Sequence, residues 1–138
     1  MKEHCRKTCG LCDMLVMVTG GAGVGKGSLD SVELLNINGS RSCSLPSLPK
    51  PIFSHSQSGS VVCGGSGGML RSCVTLSSEW KKTHTLAKDI DRKYHSAWSS
   101  PRGIILLGGD YVKARTTTEI LTENGDTIPG FTLDYETR

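Results

Sequence analysis

The chain has 138 residues, of which 36% are hydrophobic and 21% are charged, and its formal net charge is +3. This length fits one domain, and so small a positive charge does not by itself argue for a nucleic-acid partner. No apolar run approaches the ~20 residues of a membrane-spanning helix, so a membrane partner is not expected either.

The first element along the chain is a cysteine cluster at Cys5, Cys9 and Cys12. Its Cys-x3-Cys-x2-Cys spacing resembles the last third of a ShK-type toxin domain, a small scaffold with six cysteines. A zinc half-site at Cys9 and Cys12 is disfavoured, because structural zinc usually takes four closed ligands and no second Cys-x2-Cys occurs in the chain. We expect residues 1–13 to be a partial toxin-like segment, and we expect no metal and no other cofactor.

The cysteine content also bears on the compartment. Six cysteines are many for a protein kept in a reducing cytosol, and together with the toxin-like segment they favour an extracellular protein. The apolar run at residues 14–18 is shorter than the ~7–15-residue core of a signal peptide. We therefore expect that residue 1 is not the original start of the protein.

From residue 14 onward the dominant feature is a repeat. An apolar run ending in two glycines occurs at residues 15–21, 60–65 and 103–109, and the first glycines of the pairs are 44 residues apart each time. A fixed period of this length is typical of repeat architectures, whose units cannot bury their apolar faces alone. The glycines are expected to adopt φ values that only glycine tolerates cheaply. They are Gly20 and Gly21, Gly64 and Gly65, and Gly108 and Gly109.

Further strands are predicted within each repeat. A second strand-like run follows each glycine pair after a polar loop, at residues 31–35, 72–76 and 117–121, which predicts three hairpins. A third strand follows turn residues, at 42–48, 80–86 and 130–135. An inner strand is expected at about 54–57 and 94–98, whereas the first repeat has none.

These features together resemble the kelch repeat, one four-stranded blade of a β-propeller. The matching residues are the three glycine pairs, His55 and His95 on the inner strands, and Trp80 in the fourth-strand region. The resemblance implies an all-β fold, an incomplete kelch-type β-propeller of about three four-stranded antiparallel blades. The blades are expected at about residues 14–49, 50–87 and 88–138, within one propeller fragment at 14–138.

A second motif competes for the first glycine pair. Residues 20–26 satisfy the first seven places of a phosphate-binding P-loop, but the eighth place must be Ser or Thr and is Gly27. Because residues 31–35 predict a strand and not the required helix, nucleotide binding is disfavoured.

Catalytic candidates are weak. His55 and His95 occupy equivalent repeat positions, so we interpret each as a histidine that bridges neighbouring blades, and His84 stands alone on a polar strand. We expect no catalytic residue and no enzyme activity. The predicted function is a protein- or glycan-binding module or scaffold. Two alternatives stay open, a fragment of a secreted oxidoreductase that resembles galactose oxidase and a toxin-like secreted protein.

Two expectations concern the sulfur atoms and the sheet edges. Cys63 and Cys73 lie on hairpin partners, so they are the pair expected to form a disulfide, with Cα atoms roughly 4.4–6.8 Å apart. Cys43 and the N-terminal cysteines are expected to lack good partners. An open set of three blades leaves two strand edges, which favours marginal stability and edge-to-edge self-association.

The expected binding surface is one face of the propeller. The loops between the second and third strands of each blade, and those joining the blades, should emerge together at residues 22–30, 46–54, 66–72, 87–94 and 110–117. They carry eight cations against four aspartates, a formal +4, whereas the opposite face is close to neutral. We expect this basic face to bind a protein or acidic glycan, with association weakened by salt. Its cations are Lys26, Lys50, Arg71, Lys88, Arg92, Lys93, Lys113 and Arg115.

Overall fold

The computed structural model describes residues 15–36, 42–69, 71–87, 90–110 and 115–134. Within these ranges the protein is all-β, as the sequence predicted, and its strands form three antiparallel sheets and one two-stranded hairpin. The N-terminal cysteine cluster, Lys88 and Lys113 lie outside the described residues, so the expectations for them stay predictions.

Strands that follow one another along the chain are neighbours in each sheet. The described part of the first sheet comprises β1 (Leu15–Thr19), β4 (Val32–Asn36) and β5 (Ser42–Leu45), and a hairpin of β2 (Ala22–Gly23) and β3 (Gly27–Ser28) lies between β1 and β4. The second sheet comprises β6 (Ser56–Ser58), β7 (Val61–Cys63), β8 (Ser72–Leu76) and β9 (Trp80–Thr85). The third comprises β10 (Ser96–Ser100), β11 (Gly103–Leu107), β12 (Thr117–Leu121) and β13 (Thr127–Thr132).

The three predicted hairpins are confirmed as β1–β4, β7–β8 and β11–β12. Several strand boundaries differ from the prediction. The inner strands β6 and β10 begin two residues later than expected, because Ser54 and Tyr94 have φ values of 57° and 53° and cannot join an extended strand. The last strand begins at Thr127 and contains Pro129, which an edge strand tolerates because it has a free side.

The first two glycine pairs each join their own hairpin to the next repeat. All six glycines have positive φ values between 55° and 141°, which confirms the expected conformation. The first glycine of each pair donates its N–H across the hairpin, and the second donates to the next repeat, where Gly21 reaches Ile52 O and Gly65 reaches Arg92 O, both at 2.8 Å. The three hairpin acceptors are the carbonyls of Ser31, Ser72 and Thr117.

Two apolar clusters lie between the sheets. The first cluster joins Val32 and Leu34 of the first sheet to Val62 and Val74 of the second. The second cluster joins Cys63 and Cys73 of the second sheet to Leu106 and Leu121 of the third. The second sheet is therefore covered on both faces, because successive residues of a strand point to opposite sides.

The predicted disulfide between Cys63 and Cys73 is present, and the two residues are directly opposite each other in the β7–β8 ladder. Their Cα atoms are 4.1 Å apart, slightly closer than expected. The expectation for Cys43 was wrong, because Cys43 is also disulfide-bonded.

Register shifts distinguish the later repeats from the first. One extra residue lies on β9, between the partners of Cys73 and Val74, and another lies on β13, between the partners of Thr117 and Glu119. Both strands are edge strands, where bulges often occur. Glu33 and Glu119 occupy equivalent positions, as the cross-strand partners of Val18 and Leu106, yet Glu33 is exposed and Glu119 is buried, because the second sheet packs on that face of the third.

Candidate binding face

The loops predicted to form one face lie side by side. Leu29 pairs with Ile52 and Phe53 pairs with Ser66 through isolated β-bridges, so the first three loops adjoin one another. An ion pair between Arg71 and Asp91 connects the third loop to the fourth. Lys93 and Asp110 connect the fourth loop to the fifth, with Nζ 3.2 Å from the carboxylate and the backbone N–H of Asp110 donating to Lys93 O at 3.0 Å.

Cations on this face fall into two groups. Lys26 and Lys50 are exposed, and Arg115 is exposed with its Nε–H donating to the carbonyl of Asp110 at 3.2 Å. Arg71 and Lys93 each have an aspartate beside them. The first three side chains are therefore the best placed, among those described, to meet an anion from solution.

Arg92 is a correction to the predicted face, because its side chain is completely buried. Its guanidinium forms an ion pair with the buried carboxylate of Glu119 and donates from Nη1 to Gly108 O at 2.5 Å. The other Glu119 oxygen accepts the backbone N–H of Ala87 at 2.6 Å. These bonds satisfy both buried charges, as an ion pair inside a protein requires, and the formal charge of the basic face falls to +3.

Ser54 and Tyr94 lie together on this face. The Tyr94 N–H donates to the carbonyl of Ser54 at 2.9 Å, and both residues have positive φ. Left-handed backbone at residues other than glycine costs roughly 1–3 kcal/mol and occurs often at ligand-binding positions. Tyr94 is 65% exposed, and the Nζ of Lys93 lies 5.7 Å from its ring centroid.

The histidines bridge neighbouring sheets, as predicted from their repeat positions. His55 contacts the hydroxyl of Thr19 on β1, with Nε2 2.9 Å from Oγ1, and His95 contacts the hydroxyl of Ser56 on β6, with Nε2 2.6 Å from Oγ. His84 also reaches the next sheet, since its Nε2 donates to the carbonyl of Thr122 at 2.9 Å. In each case a ring nitrogen is engaged in packing the sheets together.

Burial depresses the basicity of the two repeated histidines. Loss of solvent lowers the pKa of His95 to about 4, and the positive charge of Arg92 and the presence of His55 act in the same direction. Burial also lowers the pKa of His55, although a hydrogen bond with the Thr19 backbone opposes the shift. Both rings are therefore neutral at physiological pH and add no charge to the basic face.

Chemistry-bearing groups are sparse elsewhere in the described ranges. No three His, Cys, Asp or Glu side chains among the described residues are grouped to hold a metal ion. A cavity of about 280 Å³ lies beside β12 and β13, where Glu119 contributes a carboxylate already bonded to Arg92 and Ala87. That volume is just below the ~300–1,000 Å³ of typical ligand pockets.

No model of a known protein family matches the chain, and no curated protein matches it. In the described part of the chain, no helix is long and apolar enough to cross a membrane.

Sequence reasoning could not identify the left-handed backbone of Ser54 and Tyr94 or the pairing of Arg92 with Glu119. Ser54 and Tyr94 carry no sequence signal for positive φ, because glycine is the residue that usually marks that conformation. The partnership of Arg92 with Glu119 spans 27 residues and depends on the packing of the second sheet against the third. One signal was available: Arg92 stands three places before His95, whereas the equivalent place before His55 holds the apolar Ile52.

Proposed function

We propose that the protein is a kelch-type β-propeller module that binds an acidic partner, such as a sulfated glycan or an acidic protein loop, through its basic face. The observation that carries the proposal is the row of adjoining loops with Lys26, Lys50 and Arg115 exposed along it. Clustered cations of this kind attract anions over a distance of about 10 Å at moderate ionic strength.

Several features of the fold support the propeller assignment. The sheets pack face to face through apolar clusters, and the second and third each have four antiparallel strands in chain order. The glycine pairs and the bridging histidines connect each repeat to the next in the same way. A propeller offers its loops as a binding surface on a rigid scaffold, which is where binding residues concentrate in proteins.

Binding rather than catalysis agrees with the use of the buried polar groups. His55, His95, Arg92 and Glu119 each bond within the fold, and their bonds hold sheets or loops in place. Exposed cations can bind a polyanion through charge alone, whatever their exact arrangement, so no dedicated pocket is required.

Heparin provides the direct test. We expect the chain to be retained on a heparin column and to elute earlier as salt rises. A variant with Lys26→Ser, Lys50→Ser and Arg115→Ser should elute at much lower salt. The matched control removes three exposed cations from the opposite face, through Lys81→Ser, Lys82→Ser and Arg102→Ser, and should elute nearly like the unmodified chain.

Equal losses in the two triple variants would mean that only the net charge matters and that the basic face has no special role. Retention unaffected by the first triple variant would also overturn the proposal. Thermal melting of both variants, at the same protein concentration, would show that the fold is retained.

A further inference from the structure

The described sheets leave two apolar surfaces at the ends of the row. The first outer face is the side of the first sheet that points away from the second, and Val16, Val18 and Leu35 lie on it beside Glu33, the cross-strand partner of Val18. The last outer face is the side of the third sheet that points away from the second, and it contains Trp98 and Ile128. No described segment of the chain covers either face.

Comparison of equivalent repeat positions shows that the first outer face lacks a covering sheet among the described residues. Val18, Val62 and Leu106 are 44 residues apart and occupy the same position, two residues before a glycine pair. Val62 and Leu106 are both 0% exposed because the preceding sheet packs on them, whereas Val18 is 46% exposed. Val18 therefore stands at a position that sheet packing buries in both later repeats.

The last outer face shows the complementary half of the same interface. Met17, Val61 and Ile105 form a second equivalent set 44 residues apart. Met17 and Val61 pack against the apolar clusters that the following sheets complete. Ile105 belongs to a row of cross-strand partners that crosses all four strands in the order Trp98, Ile105, Ile120 and Ile128. Trp98 and Ile128 are 63% and 44% exposed.

We propose that a second copy of this chain covers both faces. The last outer face of one copy receives the first outer face of the other, and a two-fold axis repeats the contact, so that two sets of three sheets close into a ring of six. Propellers typically have 4–8 blades, and closure leaves only short, protected edges. Side chains at the equivalent repeat positions already make this kind of contact twice within the chain, between the first and second sheets and between the second and third. Those two contacts are the template for the proposed interface.

A ring of two copies differs from edge pairing, which would join strands and leave Val18 and Ile128 exposed. It also differs from open stacking of many copies, which would produce filaments because its interface does not close. The inference rests on the propeller arrangement proposed above, but not on the acidic ligand. Molecular mass and heparin retention are separate readouts, so either result can fail without the other.

Light scattering coupled to size-exclusion chromatography tests the ring. One chain has a mass of 14.8 kDa, and we expect the species in solution to have twice that mass. Val18→Lys and Ile128→Glu should each halve the mass, because each places a charge in both copies of the interface. Val24→Glu is the control: Val24 lies fully exposed at the tip of the β2–β3 hairpin, on neither outer face, and this variant should stay dimeric.

Mixing the two single-face variants gives the decisive result. An equimolar mixture of Val18→Lys and Ile128→Glu should restore the dimer, because one interface of the mixed ring is unaltered and the other brings a lysine to a glutamate. This outcome also shows that both variants are folded. A monomeric unmodified chain, dimers that survive both substitutions, a mixture that stays monomeric, or a ladder of larger species would each overturn the proposal. If further repeats of a longer polypeptide cover these faces instead, we expect the unmodified chain to be monomeric.

Discussion

The side chain of Gln57 on β6 donates from Nε2 to the backbone carbonyl of Met17 on β1, at 3.1 Å. Its Oε1 also accepts a hydrogen bond from the hydroxyl of Thr19, at 2.8 Å. In the second and third sheets an inner strand lies at the equivalent edge, whereas β1 is the first described strand of its own sheet. One amide from the neighbouring sheet therefore occupies part of the edge of β1.

We predict that Gln57→Ala destabilises the fold by about 1 kcal/mol, because a hydrogen bond that is removed from a partly buried site typically costs that much. The same variant should associate more readily at high concentration, since an uncapped strand edge pairs with other edges. Chemical denaturation gives the free energy of unfolding, and dynamic light scattering follows association. Ser99→Ala, which removes an exposed hydroxyl contact at Ser58, serves as the control. A Gln57→Ala variant no less stable than this control would contradict the prediction.

Two glycines with the same backbone conformation should differ in their tolerance of alanine. Gly64 and Gly108 have φ values of 63° and 66°. A Cβ on Gly64 would collide with the carbonyl oxygen of Arg92 and lie 2.6 Å from Cε1 of His95, whereas among the described residues the nearest atom to a Cβ on Gly108 would be Arg115 O, at 3.8 Å. Gly108→Ala should cost about 1–2 kcal/mol from left-handed backbone alone. Gly64→Ala should cost clearly more, and equal losses in urea denaturation would contradict the close approach.

Because His95 is buried, we predict that the fold loses stability in mild acid. Because the folded pKa of His95 is about 4 and lies below its ordinary value, the fold favours the neutral ring. The stabilisation from this group is fully present above pH ~6.5 and is lost as the pH falls toward 4, with a total on the order of 3 kcal/mol. His55, whose pKa is also lowered by burial, adds to the loss.

Unfolding free energies measured between pH 4 and 7 would test this. His95→Gln cannot take up the proton, so its stability should depend less steeply on pH than that of the unmodified chain, even if it is lower at pH 7. Parallel pH dependences for the two proteins would show that His95 does not couple protonation to folding.

The buried and exposed ion pairs should respond very differently to neutralisation. Glu119→Gln leaves the guanidinium of Arg92 buried without its counter-charge, which typically costs about 3–5 kcal/mol. Asp91→Asn neutralises one partner of the exposed Arg71, and exposed pairs contribute roughly 0–1 kcal/mol. Thermal denaturation of the two variants, each differing from the parent by one amide for one carboxylate, provides the comparison. Similar melting temperatures would contradict the burial of the Arg92–Glu119 pair.

The amino-acid sequence by itself determined the strand pattern. Alternating apolar residues and glycine pairs at a fixed period are local signals, and they predicted the three hairpins, the positive φ of the glycines and the Cys63–Cys73 disulfide. The exposure of Lys26 and Lys50 also followed from their loops, because polar residues in loops lie at the surface.

Only the tertiary structure decided which charged residues leave the surface. Arg92 belongs to a polar segment and reads as exposed, but the packing of the second sheet on the third buries Glu119 beside Leu106 and supplies Arg92 with a buried partner 27 residues away. The same is true of Ser54 and Tyr94, whose left-handed backbone depends on contact between adjacent repeats. Local sequence specifies strands and turns, whereas burial, register and charge pairing depend on which sheets meet, and those contacts join residues far apart in the chain.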